Sequence, residues 1–196
     1  KTSAGTWAKG KAEVKAEAEA SLHLLQTDHV DVLQFHGGDY TPEQVHHLLN
    51  QGPADAYQEL RAEGKARFLG LTAEEPVTLR PLIASGLFDV IQIRFNVLYQ
   101  NAYHNILPEA AAANLGVVIM RPATSGQLTK LLHATCPELT GRYDLHALAL
   151  NFVLSAPQVS VAIVGTRTEA EVEANNRLSD DATQRLDQDW LHQRYV

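Results

Sequence analysis

The sequence is short of several things, and each shortage excludes something. Cysteine occurs once in 196 residues, at Cys136. A lone thiol closes no internal disulfide, which points to a reducing compartment rather than a disulfide-stapled secreted domain. No apolar run approaches the roughly 20 residues that span a bilayer, so no membrane partner is expected. No basic stretch followed by an apolar one opens the chain, so a cytoplasmic protein without a secretory leader is expected. Positive charge is also scarce, with 16 Lys and Arg against 23 Asp and Glu and a formal net charge of −7. That balance argues against a nucleic-acid partner, whose binding rests on clustered Lys and Arg. The motifs "HExxH", "GxSxG" and "GxGxxG" are missing, as is any Cys/His cluster. No zinc site, hydrolase elbow or dinucleotide-binding doubly wound sheet is therefore indicated.

What is present is a balanced composition, 45% hydrophobic and 20% charged, which suits one soluble globular domain over 1–196. Helix and strand signals alternate. Val14, Ala18, Leu22 and Leu25 recur at helical spacing. "VDVLQF", 30–35, is a strand. Thr41-Pro42-Glu43-Gln44 reads as an N-cap, a proline at the first helical position and a capping box. Val45, Leu48, Leu49, Ala56, Tyr57 and Leu60 give apolar faces up to Gly64, an expected C-cap. "ARFLGL" is the next strand, and Thr72 with Glu75 reads as a second capping box. "FDVIQI", "VVIM" and "VSVAIV" are further strands. Helices are expected over "ILPEAAAANLG", over 145–155, from Thr168 to Asn175 and near 181–193; the segment around Gly126 and Gly141 reads as a loop.

The strands are short, β-branched and apolar on both faces, which predicts βα units around a buried parallel sheet. Five such units without a glycine fingerprint favour a (β/α) barrel over an open sheet. A closed barrel needs eight strands and ~250 residues, so the expectation is either a smaller open sheet or a barrel that has lost its beginning. Reactive groups of such barrels sit where strands end. Those ends carry His36, Thr72, Gln92, Arg121-Pro122 and Gly165-Thr166-Arg167. The last set is an expected anion site, because helix N–H groups and Arg167 favour phosphate. The plainer reading of His36 is a hydrogen-bonded core histidine, and that of Arg167 a surface arginine at a helix start.

Five segments carry a resemblance. "SLHLLQTDHVDVLQFHG" resembles the "SLxxLxTDyiDLxxiH" segment of the aldo-keto reductases, and "LRAEGKARFLGLT" their "L..eGKiRyiGvS" strand. "FDVIQIRFNVL", "ILPEAAAANLGVVIMRPATSGQLT" and "VLSAPQVSVAIVGTRTEAEVEANN" are similar to later family segments, in family order. The resemblance implies a (β/α)8 barrel and hydride transfer between a nicotinamide cofactor, usually NADPH with NADH possible, and a small-molecule carbonyl. His36 falls on the family's catalytic histidine and Lys1 on its lysine. The family's catalytic Asp and Tyr belong upstream of Lys1, so the isolated chain is expected to be inactive. Gln92 matches the glutamine that binds the nicotinamide carboxamide. Gly165, Thr166 and Arg167 match the segment holding the adenosine phosphates, and Asn175 the adenine contact. Met120 stands where many members stack an aromatic on the nicotinamide, followed by Arg121. Thr72-Ala73 replaces the usual Ser-Asn, and Ala174 the glutamate before the asparagine.

The implied chemistry is consistent. Hydride arrival puts negative charge on the carbonyl oxygen. Tyrosine, with a pKa near ~10, needs an adjacent ammonium such as Lys1 to act as an acid at neutral pH. His36 orients the carbonyl by a hydrogen bond. A catalytically silent cofactor- or partner-binding subunit of the same fold is the alternative, and an unrelated barrel with a phosphate site is a third. Five barrel strands leave two sheet edges unpaired. The isolated chain is therefore expected to be marginal, oligomeric or aggregation-prone; a sharp thermal transition from a clean monomer would contradict this.

Overall fold

A computed structural model describes residues 1–195. The elements follow in the order α1 (Lys11–Leu25), β1 (Val30–Phe35), α2 (Pro42–Asn50), α3 (Pro53–Ala62), β2 (Ala66–Ala73), α4 (Arg80–Ala84) and β3 (Val90–Arg94). Then come α5 (Ile106–Ala112), β4 (Gly116–Met120), α6 (Gln127–Thr135), α7 (Pro137–Thr140), α8 (Leu145–Leu154), β5 (Val161–Ile163), α9 (Glu169–Asp180) and α10 (Gln188–Tyr195). The sheet order is the chain order, β1-β2-β3-β4-β5. The pairs β1–β2, β2–β3 and β4–β5 are parallel. Among the described residues, no helix is long and apolar enough to cross a membrane. The chain divides into two compact units: Lys1–Ile93 with Pro108–Val117, and Arg94–Leu107 with Val118 onward.

In the first unit, Val32 lies beside Phe68, Phe35 beside Leu71 and Thr72 beside Gln92. Leu33, Phe35, Leu69, Leu71, Ile91 and Ile93 are buried. Phe35 stacks on Tyr57 of α3, with ring centroids 3.6 Å apart and planes 5° from parallel. Such aromatic contacts add to the apolar area they bury. The Thr41 cap forms as the spacing predicts: the Gln44 N–H donates to Thr41 Oγ1, and Gln44 Oε1 accepts from the Thr41 N–H. Three expectations change. Leu25 stays 64% exposed, because α1 ends there and Gln26 turns the chain away at φ 55. Thr72 does not cap a helix; β2 continues through Ala73, and a 3₁₀ turn at Pro76–Leu79 precedes α4. Nor are the strands buried on both faces, since Val32 and Phe68 share an exposed face.

In the second unit, Val118 pairs with Val161 and Met120 with Ile163. β5 is shorter than the apolar run suggests, and Val161 and Ile163 are about half exposed. α8 is capped by Asp144, whose carboxylate accepts the His146 and Ala147 N–H groups. α6 occupies part of the expected loop. Its N-cap is Gly126 at φ 76, and Leu128 is its buried residue while Leu131 is exposed, so the apolar stripe is faint. α10 buries polar side chains instead of an apolar stripe. His192 stacks on Tyr103 at 4.1 Å between centroids, and Gln188 Nε2 donates to the Phe152 carbonyl. The Tyr103 hydroxyl donates to Asp189 at 2.8 Å.

Burial, and then the bond to Asp189, push the Tyr103 phenol up to about 12. Burial also pushes Tyr40 and Tyr57 upward. An unfolded phenol ionises near ~10. Raised values in the folded state therefore favour folding fully below that pH, and the benefit is lost as pH rises from about 10 through 12. Tyrosinate absorbance and circular dichroism followed together should show these phenols ionising only as the fold is lost. Tyr103→Phe should remove part of the alkaline sensitivity. Ionisation of every tyrosine near pH ~10 in an intact fold would contradict the assignment.

Candidate functional site

Two polar clusters stand at strand ends, one in each unit. In the first unit His36 ends β1 and is exposed. The start of the chain runs beside it: the Thr2 N–H donates to the Gln34 carbonyl at 3.0 Å, and Ala4 pairs in parallel with His36. Lys1 and His36 thus lie on neighbouring parallel segments. That leading segment is tied to α1 through Glu17, which accepts from Ser3, from Thr6 at 2.6 Å and from Lys9. The Lys9 bond, then the Thr6 bond, hold the Glu17 carboxyl below the usual carboxylate range.

The backbone after His36 is held by the threonine that the sequence pattern assigns to a helix cap. Thr72 Oγ1 accepts the Gly37 N–H at 3.1 Å and donates to the Gly37 carbonyl at 3.0 Å. Thr72 is 1% exposed, so this clamp is shielded from water. Gly37 leaves room for the Tyr40 side chain, since a Cβ there would lie 2.0 Å from the Tyr40 hydroxyl and the ring would have to shift. Gln92 is buried on β3 next to Thr72.

In the second unit a cavity of about 740 Å³ opens among the segment after β4, the start of α8, the end of β5 and α9. Arg121, Gly165, Arg167 and Asn175, all singled out from the sequence, line it together. Met120 and Thr166 do not; Thr166 lines a separate groove with Ser160 and Asn176. Ser125, Gly126, Thr129, His146 and Glu171 join the wall, though no sequence signal picked them out. The start of α6 is part of this wall, and the positive end of a helix dipole favours an anion. Its approach is unusual backbone: Arg121, Thr124 and Ser125 have φ values of 56, 55 and 52, followed by Gly126 at 76. Left-handed conformations cost non-glycine residues roughly 1–2 kcal/mol each, so something must hold them. Asn96 does this at Arg121. It is 1% exposed, donates through Nδ2 to the Arg121 carbonyl at 2.9 Å, and accepts the Leu98 and Tyr99 N–H groups on Oδ1. Thr124 Oγ1 accepts the Leu128 N–H at 2.9 Å.

The helix start after β5 differs from the expected anion site. Thr168 Oγ1 accepts the Glu171 N–H, and Glu171 Oε2 accepts the Arg167 N–H at 2.6 Å. Two N–H groups read as phosphate donors are thus taken by the protein itself. On the same helix, Asn175 Oδ1 meets His146 Nε2 at 2.7 Å. With its oxygen engaged, the Asn175 amide keeps its NH₂ group as a donor. The residues present suit an elongated ligand with a compact anionic centre: two guanidinium groups, a helix start, and an amide donor in a cavity of ordinary ligand-site size.

Comparison with known proteins fits this geometry. A model described as the Aldo/keto reductase family matches residues 5–138. L-galactose dehydrogenase of Arabidopsis thaliana is 26% identical over 183 residues, covering 83% of this chain and 56% of that protein. An uncharacterized oxidoreductase, YqkF, of Bacillus subtilis is 28% identical over 127 residues, 63% of this chain and 38% of that one. An NADH-specific methylglyoxal reductase of Escherichia coli is 26% identical over 121 residues, covering 59% of this chain and 35% of that protein. The chain thus spans about a third to a little over half of these relatives. Among solved structures, the holo form of aldo-keto reductase AKR11C1 from Bacillus halodurans superposes with a TM-score of 0.70 at 22% identity, covering 90% of this chain and 64% of that one. The five parallel strands correspond to part of the barrel of such proteins.

Asn96 is a residue that sequence reasoning passed over; its signal was an asparagine two residues past a buried strand. Asn96→Ala should cost about 1–3 kcal/mol per buried partner left unpaired. Asn96→Asp should be no better, since it sets a carboxylate against the Arg121 carbonyl. Denaturant midpoints check this, and a loss under about 0.5 kcal/mol, the range of an ordinary surface change, would remove Asn96 from this role.

Proposed function

Because the chain belongs to the aldo/keto reductase family, we propose that it serves an NAD(P)H-dependent oxidoreductase that reduces a small aldehyde or ketone to the alcohol. The observation that carries this is the second unit's cavity, where Arg121, Arg167, the start of α6 and Asn175 converge. Arg121 and Arg167 hold the diphosphate by charge-assisted hydrogen bonds. The Asn175 amide, oriented by His146, donates to the adenine ring. Met120, in the second unit, packs as a polarisable thioether against the nicotinamide. Gly165 contributes backbone beside the phosphates, whereas Thr166 lines the neighbouring groove. The bound dinucleotide supplies the hydride.

In the first unit His36 holds the carbonyl oxygen by a hydrogen bond, in a backbone fixed by Thr72. The Lys1 ammonium lowers the pKa of the acid that protonates the forming alkoxide. Names borne by relatives, a methylglyoxal reductase and an L-galactose dehydrogenase, support a small carbonyl–alcohol couple.

The test uses the full-length protein that contains this chain. Reduced-dinucleotide fluorescence should report binding, and Arg121→Ala or Arg167→Ala should each weaken it about tenfold or more, as loss of a charged hydrogen bond does. His36→Ala should lower kcat about 10²-fold or more with dinucleotide binding retained. Binding without carbonyl-dependent oxidation would instead favour the silent subunit. No dinucleotide binding would sink the reading.

A further inference from the structure

We propose that Tyr57 is a positioning residue for the first unit's reaction centre: its hydroxyl, acting through Thr2, holds the segment that carries Lys1 against the strand that carries His36. The inference rests on the carbonyl-reduction reading given above, in which the Lys1 ammonium acidifies the proton donor and His36 orients the carbonyl.

Tyr57 stands in the middle of α3 and is fully buried. It touches the residue next to each member of that pair. Its ring stacks on Phe35, the residue before His36, with centroids 3.6 Å apart. Phe88 meets the same Phe35 ring edge-on at 6.3 Å. The Tyr57 hydroxyl lies 3.1 Å from Oγ1 of Thr2, the residue after Lys1. Glu17 anchors the leading segment at Ser3 and Thr6, whereas Tyr57 holds it beside Lys1.

The protons of this link run one way. Thr2 Oγ1 donates to the Gln34 carbonyl at 3.4 Å, and the Thr2 N–H donates to that carbonyl too. With its proton so used, Oγ1 offers a lone pair, and the phenol donates to it. Burial pushes the Tyr57 phenol upward, so it stays a donor. Thr2 is buried as well, which shields the chain from Tyr57 through Thr2 to Gln34 from water. The core needs an apolar ring at this place. It does not need a phenol, whose burial is costly unless the hydroxyl is paired. What the hydroxyl adds is a fixed place for Thr2.

That place bears on the chemistry. The influence of an ammonium on a nearby acid falls with distance. Loosening Lys1 therefore raises the pKa of the proton donor. Carbonyl reduction needs that donor protonated, so activity is lost as pH rises through its pKa. A displaced Lys1 lowers kcat at neutral pH and moves the alkaline limb of the profile upward.

The experiment measures kcat against pH for the full-length protein on a panel of small aldehydes and ketones, methylglyoxal among them. Tyr57→Phe keeps the ring and its stack on Phe35. It should lower kcat at neutral pH roughly tenfold, less than the ~10²-fold that a 1 Å misplacement can cost. The alkaline limb should rise by about half a unit or more, with dinucleotide affinity unchanged. Thr2→Val should act alike, and the two together should be no worse than either alone, because both break one link. The double variant leaves neither hydroxyl unpaired, so it should regain the thermal stability that Thr2→Val loses while keeping the shifted limb. A limb unmoved in folded Tyr57→Phe, or one that returns together with stability in the double variant, overturns the role of Tyr57 and leaves the carbonyl-reduction reading standing. No turnover by the parent protein, or a Lys1→Met variant with undiminished kcat, overturns that reading and this inference with it.

Discussion

The wall of the second unit's cavity depends on backbone that would not keep its shape unaided. After β4 the chain passes through left-handed conformations at Arg121, Thr124, Ser125 and Gly126 before α6 begins. Three of these residues carry a Cβ, and one is β-branched. What holds the turn is a buried amide, Asn96, which meets the Arg121 carbonyl and two N–H groups of its own loop. That side chain fixes where Arg121 leaves β4, and Thr124 Oγ1, which accepts the Leu128 N–H, ties the start of α6. Both belong to the same wall.

The first unit solves a similar problem with a hydroxyl. Thr72 takes both polar groups of Gly37 and so fixes the chain after His36. In each case a polar residue at or near a strand end is used on neighbouring backbone rather than on a ligand. Buried polar groups are costly unless paired, so such clamps rigidify what they hold. The side chains proposed to react or bind, His36 in one unit and Arg121 and Arg167 in the other, are exposed.

The same economy explains the helix start after β5. Free N–H groups there would make a general anion site. The protein fills two of them with Thr168 and Glu171. What is left for a ligand is the Arg167 side chain, the Asn175 amide and a carboxylate.

Local chemistry alone determined much of this protein. Thr41-Pro42-Glu43-Gln44 starts α2 by bonds within four residues. The apolar β-branched runs give the strands, and their alternation with helices gives parallel pairing. The gathering of Arg121, Gly165, Arg167 and Asn175 follows from their places at strand ends and on the following helix. The tertiary structure decided the rest, wherever a residue's partner lies far along the chain. Thr72 followed by Glu75 satisfies a capping pattern, yet its hydroxyl goes to Gly37, 35 residues away. α10 lacks an apolar stripe because its inward positions are Gln188 and His192, whose partners are the Phe152 carbonyl and the Tyr103 ring. Asn96, His146 and Glu171 acquire meaning from contacts that no spacing announces. A hydrogen bond within a turn is set by the order of residues, whereas one between elements exists only after packing has brought its two ends together.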